Sequence, residues 1–219
     1  MYLVLELLPP ADCKILVEAL GESARFEDGR RTAGWRARAA KRNEQAADDV
    51  TSRGIVRKIE QALAGNAVFR AAAQPKAVIR LLLSRYREGM AYGTHLDDAV
   101  IDGQRVDLSV TLFLSEPESY DGGELVIEGN DGERAFKLEP GRLVLYPTTE
   151  LHRVEPVTRG ERLAAVGWIR SRIRDPLRRE LLFDLETALA ELRRERPEGA
   201  GLDRLAKVQG NLLRLWVED

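Results

Sequence analysis

The chain has 219 residues, 44 % of them hydrophobic and 32 % charged, with a formal net charge of −2. These values are typical of one globular domain, or of one domain with an appendage, and they give no argument for a nucleic-acid partner. The single cysteine, Cys13, excludes an internal disulfide. The N-terminal run lacks basic residues and is interrupted at Glu6. We therefore expect neither a signal peptide nor a membrane span, and a cytoplasmic location.

Helical signals come first along the chain. Pro9 and Pro10 open an apolar pattern that predicts a helix over 9–20. A second helix is predicted from a Thr51 cap, through apolar residues at helical spacing, to Gly65. Between the two, residues 25–42 hold seven Arg or Lys side chains and two glycines, which predicts an irregular loop. This basic segment is a candidate lid over a substrate, and the alternative is a solvated loop.

Strand signals dominate from about residue 76 to residue 170. Residues 77–83 are rich in β-branched and aliphatic side chains, and residues 106–114 alternate in the way expected of a strand with one buried face. The sequence at 130–132 predicts a hairpin turn, and residues 141–147 predict a strand that ends at proline. Residues 152–157 and 162–169 predict a final hairpin around a turn at 158–161. Many short strands of this kind favour a jelly-roll of two packed sheets.

The chain ends in a predicted pair of helices. Asp175 and Pro176 form a typical helix start, and five leucines from Leu177 to Leu192 lie near one stripe. Pro197 interrupts this helix, and residues 202–216 carry a second, weaker stripe. We predict a mainly β fold with flanking helices (α+β): a core domain over 1–171 with N-terminal helices, and a helical extension over 172–219 packed on it. A contact between subunits through these helices is a further expectation.

The two histidines of the chain, His95 and His152, are the main functional signal. His95 stands two residues before Asp97 in a strand-like segment, so both side chains are expected on one strand face. Two histidines and one carboxylate form the face that holds Fe(II) and leaves positions open for substrate and dioxygen. The alternatives are a surface His beside a solvated acid for His95, and a hydrogen-bonded core residue for His152.

Arg162 supports the metal-site interpretation. It stands among apolar residues of the last predicted strand, where a charge is costly unless it is paired. The predicted hairpin brings it near His152, and a guanidinium can hold a carboxylate through two parallel hydrogen bonds. A dicarboxylate cosubstrate would therefore chelate the metal at one end and meet Arg162 at the other. The alternatives are an ion pair with a protein carboxylate and a projection into solvent.

These motifs together resemble a known family, the PKHD-type hydroxylases. The resemblance is carried by Gly89-Met90-x-Tyr92-Gly93-x-His95-x-Asp97, Asp107-Leu108-Ser109-x-Thr111, Tyr120-Asp121-Gly122-Gly123-Glu124, Leu145-Tyr146-Pro147, His152-Arg153-Val154-x-Pro156, Arg162 and Trp168, and extends to Asn211-Leu212-Leu213-Arg214. It implies a double-stranded β-helix core, iron on His95, Asp97 and His152, and 2-oxoglutarate on Arg162. As is common for that family, it also implies ascorbate. Tyr86 and Tyr92 are candidate contacts of the cosubstrate, with aromatic packing as the alternative.

The resulting hypothesis is an Fe(II)- and 2-oxoglutarate-dependent dioxygenase. It would hydroxylate a small molecule or a peptide with dioxygen, while 2-oxoglutarate is oxidatively decarboxylated to succinate. Two other hypotheses use the same ligands: a non-catalytic protein that senses or buffers iron, and a cupin-like zinc hydrolase. A sensor has no need of Arg162, and the sequence indicates no general base for a hydrolase.

Overall fold

The computed structural model describes residues 2–32, 34, 37–196 and 198–218. Five α-helices flank a β core. Their bounds are Pro10–Ser23 (α1), Val50–Gly65 (α2), Ala67–Ala73 (α3), Pro176–Glu195 (α4) and Ala200–Trp216 (α5). Short 3-10 turns occur at Gly29–Thr32, Ala37–Ala40 and Pro117–Ser119. No helix in these ranges is both long enough and apolar enough to span a lipid bilayer.

The strands form two main antiparallel sheets. Their bounds are Leu3–Glu6 (β1), Phe26–Asp28 (β2), Lys41–Arg42 (β3), Glu44–Ala46 (β4), Pro75–Arg87 (β5), Ala91–His95 (β6), Val100–Ile101 (β7), Gln104–Arg105 (β8), Leu108–Phe113 (β9), Tyr120–Gly122 (β10), Leu125–Gly129 (β11), Gly132–Phe136 (β12), Arg142–Pro147 (β13), Leu151–Val154 (β14) and Val157–Ser171 (β15). The larger sheet has the order β1-β13-β9-β15-β5-β4-β2, with β10 also paired to β15, and the smaller sheet has the order β12-β11-β14-β6-β3. A separate hairpin joins β7 and β8.

The larger sheet is buried on both faces, and this determines where functional side chains can lie. On β9, Leu108, Val110 and Leu112 pack with side chains of α1, α2 and α3. Phe113, on the other face of β9, packs with residues of β11 in the smaller sheet. All six residues of β9 are buried, so the expectation of one buried face is wrong. The face turned toward the smaller sheet forms the interior of the jelly-roll.

Several predicted elements are confirmed, but the predicted final hairpin is wrong. The helix near the N-terminus, the hairpin at 130–132 and the strand ending at Pro147 are present. The predicted turn at 158–161 lies inside β15, and β14 and β15 belong to different sheets, so the predicted hairpin does not exist. Gly160 has φ +76°, and a Cβ there would lie 2.2 Å from the Ser119 carbonyl oxygen. The glycine therefore permits close pairing with β10 instead of forming a turn.

The N-terminal region differs from expectation at two places. Helix α2 begins two residues earlier than predicted, because the Asp49 side chain, rather than Thr51, caps it by accepting a hydrogen bond from the Ser52 backbone N–H at 2.8 Å. The basic segment 25–42 is not a plain loop, because it contains β2 and β3. Trp35 and Arg36 of that segment lie outside the described residues.

The C-terminal helices confirm the predicted pair, but only part of the predicted leucine stripe is buried: Leu189 is, whereas Leu177, Leu181 and Leu192 are exposed. Asp175 caps α4 through hydrogen bonds from the backbone N–H groups of residues 177 and 178. Leu182 and Leu189 are buried on that helix, whereas Leu177 and Leu181 are 64 % and 50 % exposed. Helix α5 packs on α4 and has no fully buried residue. The predicted break at Pro197 falls on a residue outside the described part of the chain.

Candidate metal and cosubstrate site

His95, Asp97 and His152 lie together inside the jelly-roll. Their potential ligand atoms all lie within 4.8 Å of one another. His95 Nε2 is 3.9 Å from Asp97 Oδ1, and His152 Nε2 is 3.7 Å from Asp97 Oδ2. All three side chains are at most 8 % exposed. The chain thus brings together its whole supply of imidazole and one carboxylate at a single point.

Strand pairing explains why the two histidines meet. His95 is the last residue of β6 and lies directly opposite His152 of β14 in the antiparallel ladder. His95 Nδ1 lies 2.9 Å from the Gly93 carbonyl oxygen, and His152 Nδ1 lies 3.1 Å from the Glu150 carbonyl oxygen. A carbonyl only accepts hydrogen bonds, so Nδ1 carries the proton and Nε2 presents its lone pair toward Asp97. Burial lowers the pKa of His95, which keeps its ring neutral at neutral pH.

Asp97 reaches the site by a different route from the one predicted. Strand β6 ends at His95, so Asp97 lies in the following loop and does not share a strand face with His95. The Ser109 hydroxyl donates a hydrogen bond to Asp97 Oδ2 at 2.5 Å from the inner face of β9. The carboxylate is therefore oriented by the larger sheet, while the histidines belong to the smaller one.

Arg162 is buried in the same interior, on β15. It is 1 % exposed and lies opposite Tyr86 of β5, not opposite His152 as the predicted hairpin required. Within the described part of the chain, its three guanidinium nitrogens have no hydrogen-bond partner, and neither does the neighbouring Tyr120 hydroxyl. The guanidinium lies 5.2 Å from the ring centroids of Tyr86 and Phe113. A buried cation with aromatic neighbours and no carboxylate is costly unless a ligand completes it.

The two candidate tyrosines occupy different positions. Tyr86 is 3 % exposed, lines the cavity that contains the metal-ligand cluster, and faces Arg162. Its burial raises the pKa of its hydroxyl to about 12. Tyr92 stacks on the His95 ring, with 3.6 Å between the centroids and an angle of 16° between the planes. Tyr86 thus joins Arg162 to the cavity, whereas Tyr92 packs against a histidine of the cluster.

Several cavity residues were missed at the level of sequence. Ser109 stood in a strand pattern without any sign that its hydroxyl meets Asp97. Lys41, Asn43 and Gln45 line the cavity and are each 5 % exposed; of these, Lys41 falls in the segment 25–42 that was predicted to be a loop. Their alternate spacing could have revealed them, because a Lys-x-Asn-x-Gln run in a strand places all three side chains on one face of that strand.

The residues present fit both groups that such a site would need. Two imidazoles and one carboxylate are a donor set for a first-row divalent metal that leaves further coordination positions open. The guanidinium of Arg162 fits a carboxylate of a second ligand, because it offers paired N–H donors and has no hydrogen-bond partner among the described residues.

Comparison with known proteins identifies the family. The profile of the 2OG-Fe(II) oxygenase superfamily matches residues 81–170, and that of the PKHD-type hydroxylase C-terminal domain matches residues 177–218. A PKHD-type hydroxylase of Parvibaculum lavamentivorans is 54 % identical over 217 residues, with 97 % of both chains covered. The chain belongs to the PKHD-type hydroxylases. Another of these hydroxylases, from Picosynechococcus sp., is 47 % identical and also covers 97 % of both chains.

Solved structures support the fold. A Pseudomonas putida prolyl-4-hydroxylase matches with a TM-score of 0.55 and 21 % identity, covering 78 % of this chain and 92 % of that one. A viral collagen prolyl hydroxylase from Paramecium Bursaria Chlorella virus-1 matches with a TM-score of 0.51 and 19 % identity, covering 78 % and 96 %. The predicted jelly-roll with flanking helices is confirmed. As a PKHD-type hydroxylase, the protein is a 2-oxoglutarate-dependent dioxygenase that uses Fe(II), 2-oxoglutarate and dioxygen.

Proposed function

We propose that this PKHD-type hydroxylase couples the oxidative decarboxylation of 2-oxoglutarate to succinate with the hydroxylation of a primary substrate. His95, Asp97 and His152 hold Fe(II), and Arg162 holds the far carboxylate of 2-oxoglutarate. The observation that carries the proposal is the burial of Arg162 without a hydrogen-bond partner among the described residues, in the barrel interior that also contains the His and Asp cluster.

The protein's own contribution is orientation and the exclusion of water. When bound, the metal supplies the activation of dioxygen. The carbonyls of Gly93 and Glu150 fix the tautomers of the two histidines, and Ser109 fixes the carboxylate of Asp97. Such contacts hold ligands in position before the metal arrives.

The far end of the cosubstrate is held by charge and by shape. The Arg162 guanidinium donates two parallel hydrogen bonds to one carboxylate, which fixes its direction as well as its position. Tyr86 lies on one side of that guanidinium and Phe113 on another, so the carboxylate meets Arg162 away from bulk water, where the interaction is stronger. In this proposal Tyr86 contacts 2-oxoglutarate, and Tyr92 supports the His95 ring by stacking.

The conservative replacement Arg162→Lys tests the cosubstrate assignment. Lysine keeps the charge but loses the paired donors, so the affinity for 2-oxoglutarate should fall about ten- to hundredfold. The measurement is the 2-oxoglutarate dependence of succinate formation, together with Fe(II) affinity under anaerobic conditions, which should not change. Arg80→Lys is the matched control, because Arg80 lines the same cavity but is paired with Asp102 at 2.6 Å. An Arg162→Lys protein with parental 2-oxoglutarate affinity would contradict the assignment.

The alternative of an iron-sensing or iron-buffering protein is not supported. The chain belongs to a family of hydroxylases, and iron sensing gives no reason to bury Arg162 without a hydrogen-bond partner among the described residues. A substrate-independent release of succinate from 2-oxoglutarate in the presence of Fe(II) and dioxygen is expected for the enzyme and not for a sensor.

A further inference from the structure

A buried lysine in the cavity wall has no carboxylate partner. Lys41 is 5 % exposed, and its ammonium makes one hydrogen bond, to Thr32 Oγ1 at 3.2 Å. In the described part of the chain, no acidic side chain lies within ion-pair distance of it, and Asp97 and Asp28 act on its charge only from farther away. Arg80 in the same wall has such a partner, Asp102. Buried ammonium groups are normally paired, because their desolvation is costly, so the unpaired state of Lys41 needs an explanation.

Two buried amide side chains form a polar row with Lys41. Asn43 and Gln45 follow Lys41 at alternate positions and are each 5 % exposed. Within the ranges that the structure describes, neither polar atom of the Asn43 side chain nor the amide nitrogen of Gln45 makes a well-formed hydrogen bond, although the Tyr86 hydroxyl lies close to the Asn43 side chain. Gln45 Oε1 accepts from Thr32 Oγ1 at 2.6 Å, which fixes the amide with its nitrogen unsatisfied. Each such orphan destabilises the fold unless a ligand or water pairs with it.

The position of this row connects it to the metal cluster. Strand β3 pairs with β6 of the smaller sheet, whereas β4 pairs with β5 of the larger one. Residues 41–45 therefore pass between the two sheets. Lys41 lies opposite Tyr92, with its ammonium 5.1 Å from the ring centroid, and that ring stacks on His95. One aromatic ring thus separates the cationic end of the row from a proposed iron ligand.

We propose that Lys41, Asn43 and Gln45 form the subsite for the primary substrate, and that this substrate is an organic carboxylate. Its carboxylate binds the Lys41 ammonium, and its other polar groups meet the two amides. This inference rests on the proposed function, because it assigns 2-oxoglutarate to Arg162 and leaves Lys41 free for the second ligand.

The charge balance favours a carboxylate over a phosphate. Lys41 is one cation, and Asp97 and Asp98 line the same cavity. A carboxylate carries a single charge that Lys41 neutralises, whereas a phosphate carries close to two at neutral pH. The second negative charge would have no cation within the subsite and would face Asp98, since Asp97 is assigned to the metal.

The test uses three probes with the same propyl group: butanoate, butanamide and propylphosphonate. The protein is loaded with Mn(II) and saturated with N-oxalylglycine, an analogue that fills the 2-oxoglutarate position. Paramagnetic broadening of the probe's proton NMR signals then reports binding near the metal without any turnover. We expect broadening with butanoate, and much less with butanamide and propylphosphonate.

Three variants assign that binding to the subsite. Lys41→Met keeps the length of the side chain and removes its charge, so butanoate should bind at least tenfold more weakly. Gln45→Glu keeps the shape and the acceptor for Thr32 but adds a negative charge, so it should also weaken butanoate binding. Lys58→Met, at an exposed position of α2, is the matched control and should match the parent. Mn(II) affinity should be the same in all four proteins.

Several results would overturn the proposal. They are butanoate binding that Lys41→Met leaves unchanged, a preference for propylphosphonate, and equal binding of butanamide and butanoate. Failure of the proposed function looks different: Arg162→Lys would then bind N-oxalylglycine as tightly as the parent. A Lys41→Met protein that loses N-oxalylglycine but keeps Mn(II) would instead place the cosubstrate on Lys41 and refute the subsite.

Discussion

At the scale of single residues, the site depends on side chains that orient others. Ser109 never meets the proposed metal, yet its hydroxyl lies 2.5 Å from the carboxylate that does. The two histidines depend in the same way on backbone carbonyls. The orientation of all three side chains is therefore set by hydrogen bonds to the surrounding fold.

Ser109→Ala should weaken metal binding while leaving the fold intact. Loss of the hydrogen bond frees the Asp97 carboxylate to rotate, and contacts of this kind are worth about ten- to hundredfold in metal affinity. The measurement is Mn(II) affinity by titration. Ser171→Ala is the control. It removes a different buried serine, whose hydroxyl donates a hydrogen bond to the Ala73 carbonyl oxygen at 2.8 Å and does not contact Asp97. That control should bind Mn(II) like the parent, and equal affinity in both variants would show that Ser109 does not position Asp97.

Lys41→Met should stabilise the fold at pH 7. Burial lowers the pKa of Lys41 to about 8, whereas the unfolded chain has the ordinary value near 10.5, so the folded state holds its proton less tightly. The charged form is therefore a cost at neutral pH, and its removal should add about 1–3 kcal/mol to the free energy of unfolding. Between pH 8 and 10.5 the unfolded parent binds more protons than the folded parent, so the parent gains stability as the pH rises. The gap in unfolding free energy between Lys41→Met and the parent should therefore shrink.

Urea unfolding at pH 7 and pH 10 measures this difference. A Lys41→Met protein less stable than the parent at pH 7 would show that Lys41 has a structural partner. If Lys41→Met is more stable than the parent, this would agree with a Lys41 that serves a ligand and lowers the stability of the fold.

Residue types predicted the cluster better than they predicted its geometry. Two histidines, an aspartate and an arginine in an apolar strand were sufficient to nominate the site. Their relative placement was derived from a shared strand face and from a hairpin, and neither exists. Asp97 approaches from a loop, and Arg162 approaches from the opposite sheet. Both directions of approach depend on how distant strands pair, and local patterns in a single sequence do not specify that pairing.

At the scale of elements, the prediction was limited by which face of an element is buried. The leucines of α4 are frequent enough to suggest a stripe, but Leu181 faces outward while its neighbour Leu182 is 1 % exposed. The buried face is set by contact with α3 and α5, which local spacing does not specify. A similar limit applies to residues 25–46, where charged side chains hid short strands that cross between the sheets.

Two adjacent leucines test the phase of α4. Leu182→Ala leaves a cavity under the helix and should cost about 2–4 kcal/mol in the free energy of unfolding. Leu181→Ala, one residue earlier and half exposed, should cost less than about 1 kcal/mol. Urea unfolding of both variants gives the comparison. Equal costs, or a larger cost at Leu181, would mean that the exposed leucine is covered, as it would be by a partner subunit.

At the scale of the whole molecule, the two sheets together carry the site residues and the helices cover the larger sheet from outside. The helices cover the outer face of the larger sheet, so its inner face is free to present Ser109, Tyr86 and Arg162 to the histidines of the smaller sheet. The fold class followed from the density of strand signals. The division at residue 171, the contact between subunits, the cytoplasmic location and the ascorbate requirement stay predictions.

The most direct test of the account is an anaerobic titration of the protein with Fe(II). We predict one ion per chain, and a loss of this stoichiometric binding in His95→Ala, Asp97→Ala and His152→Ala, with secondary structure by circular dichroism unchanged. Arg162→Lys should keep the parental Fe(II) affinity, because Arg162 is not a ligand. Parental Fe(II) binding in any of the three ligand variants, with the fold intact, would contradict the assignment of His95, Asp97 and His152 as the metal site.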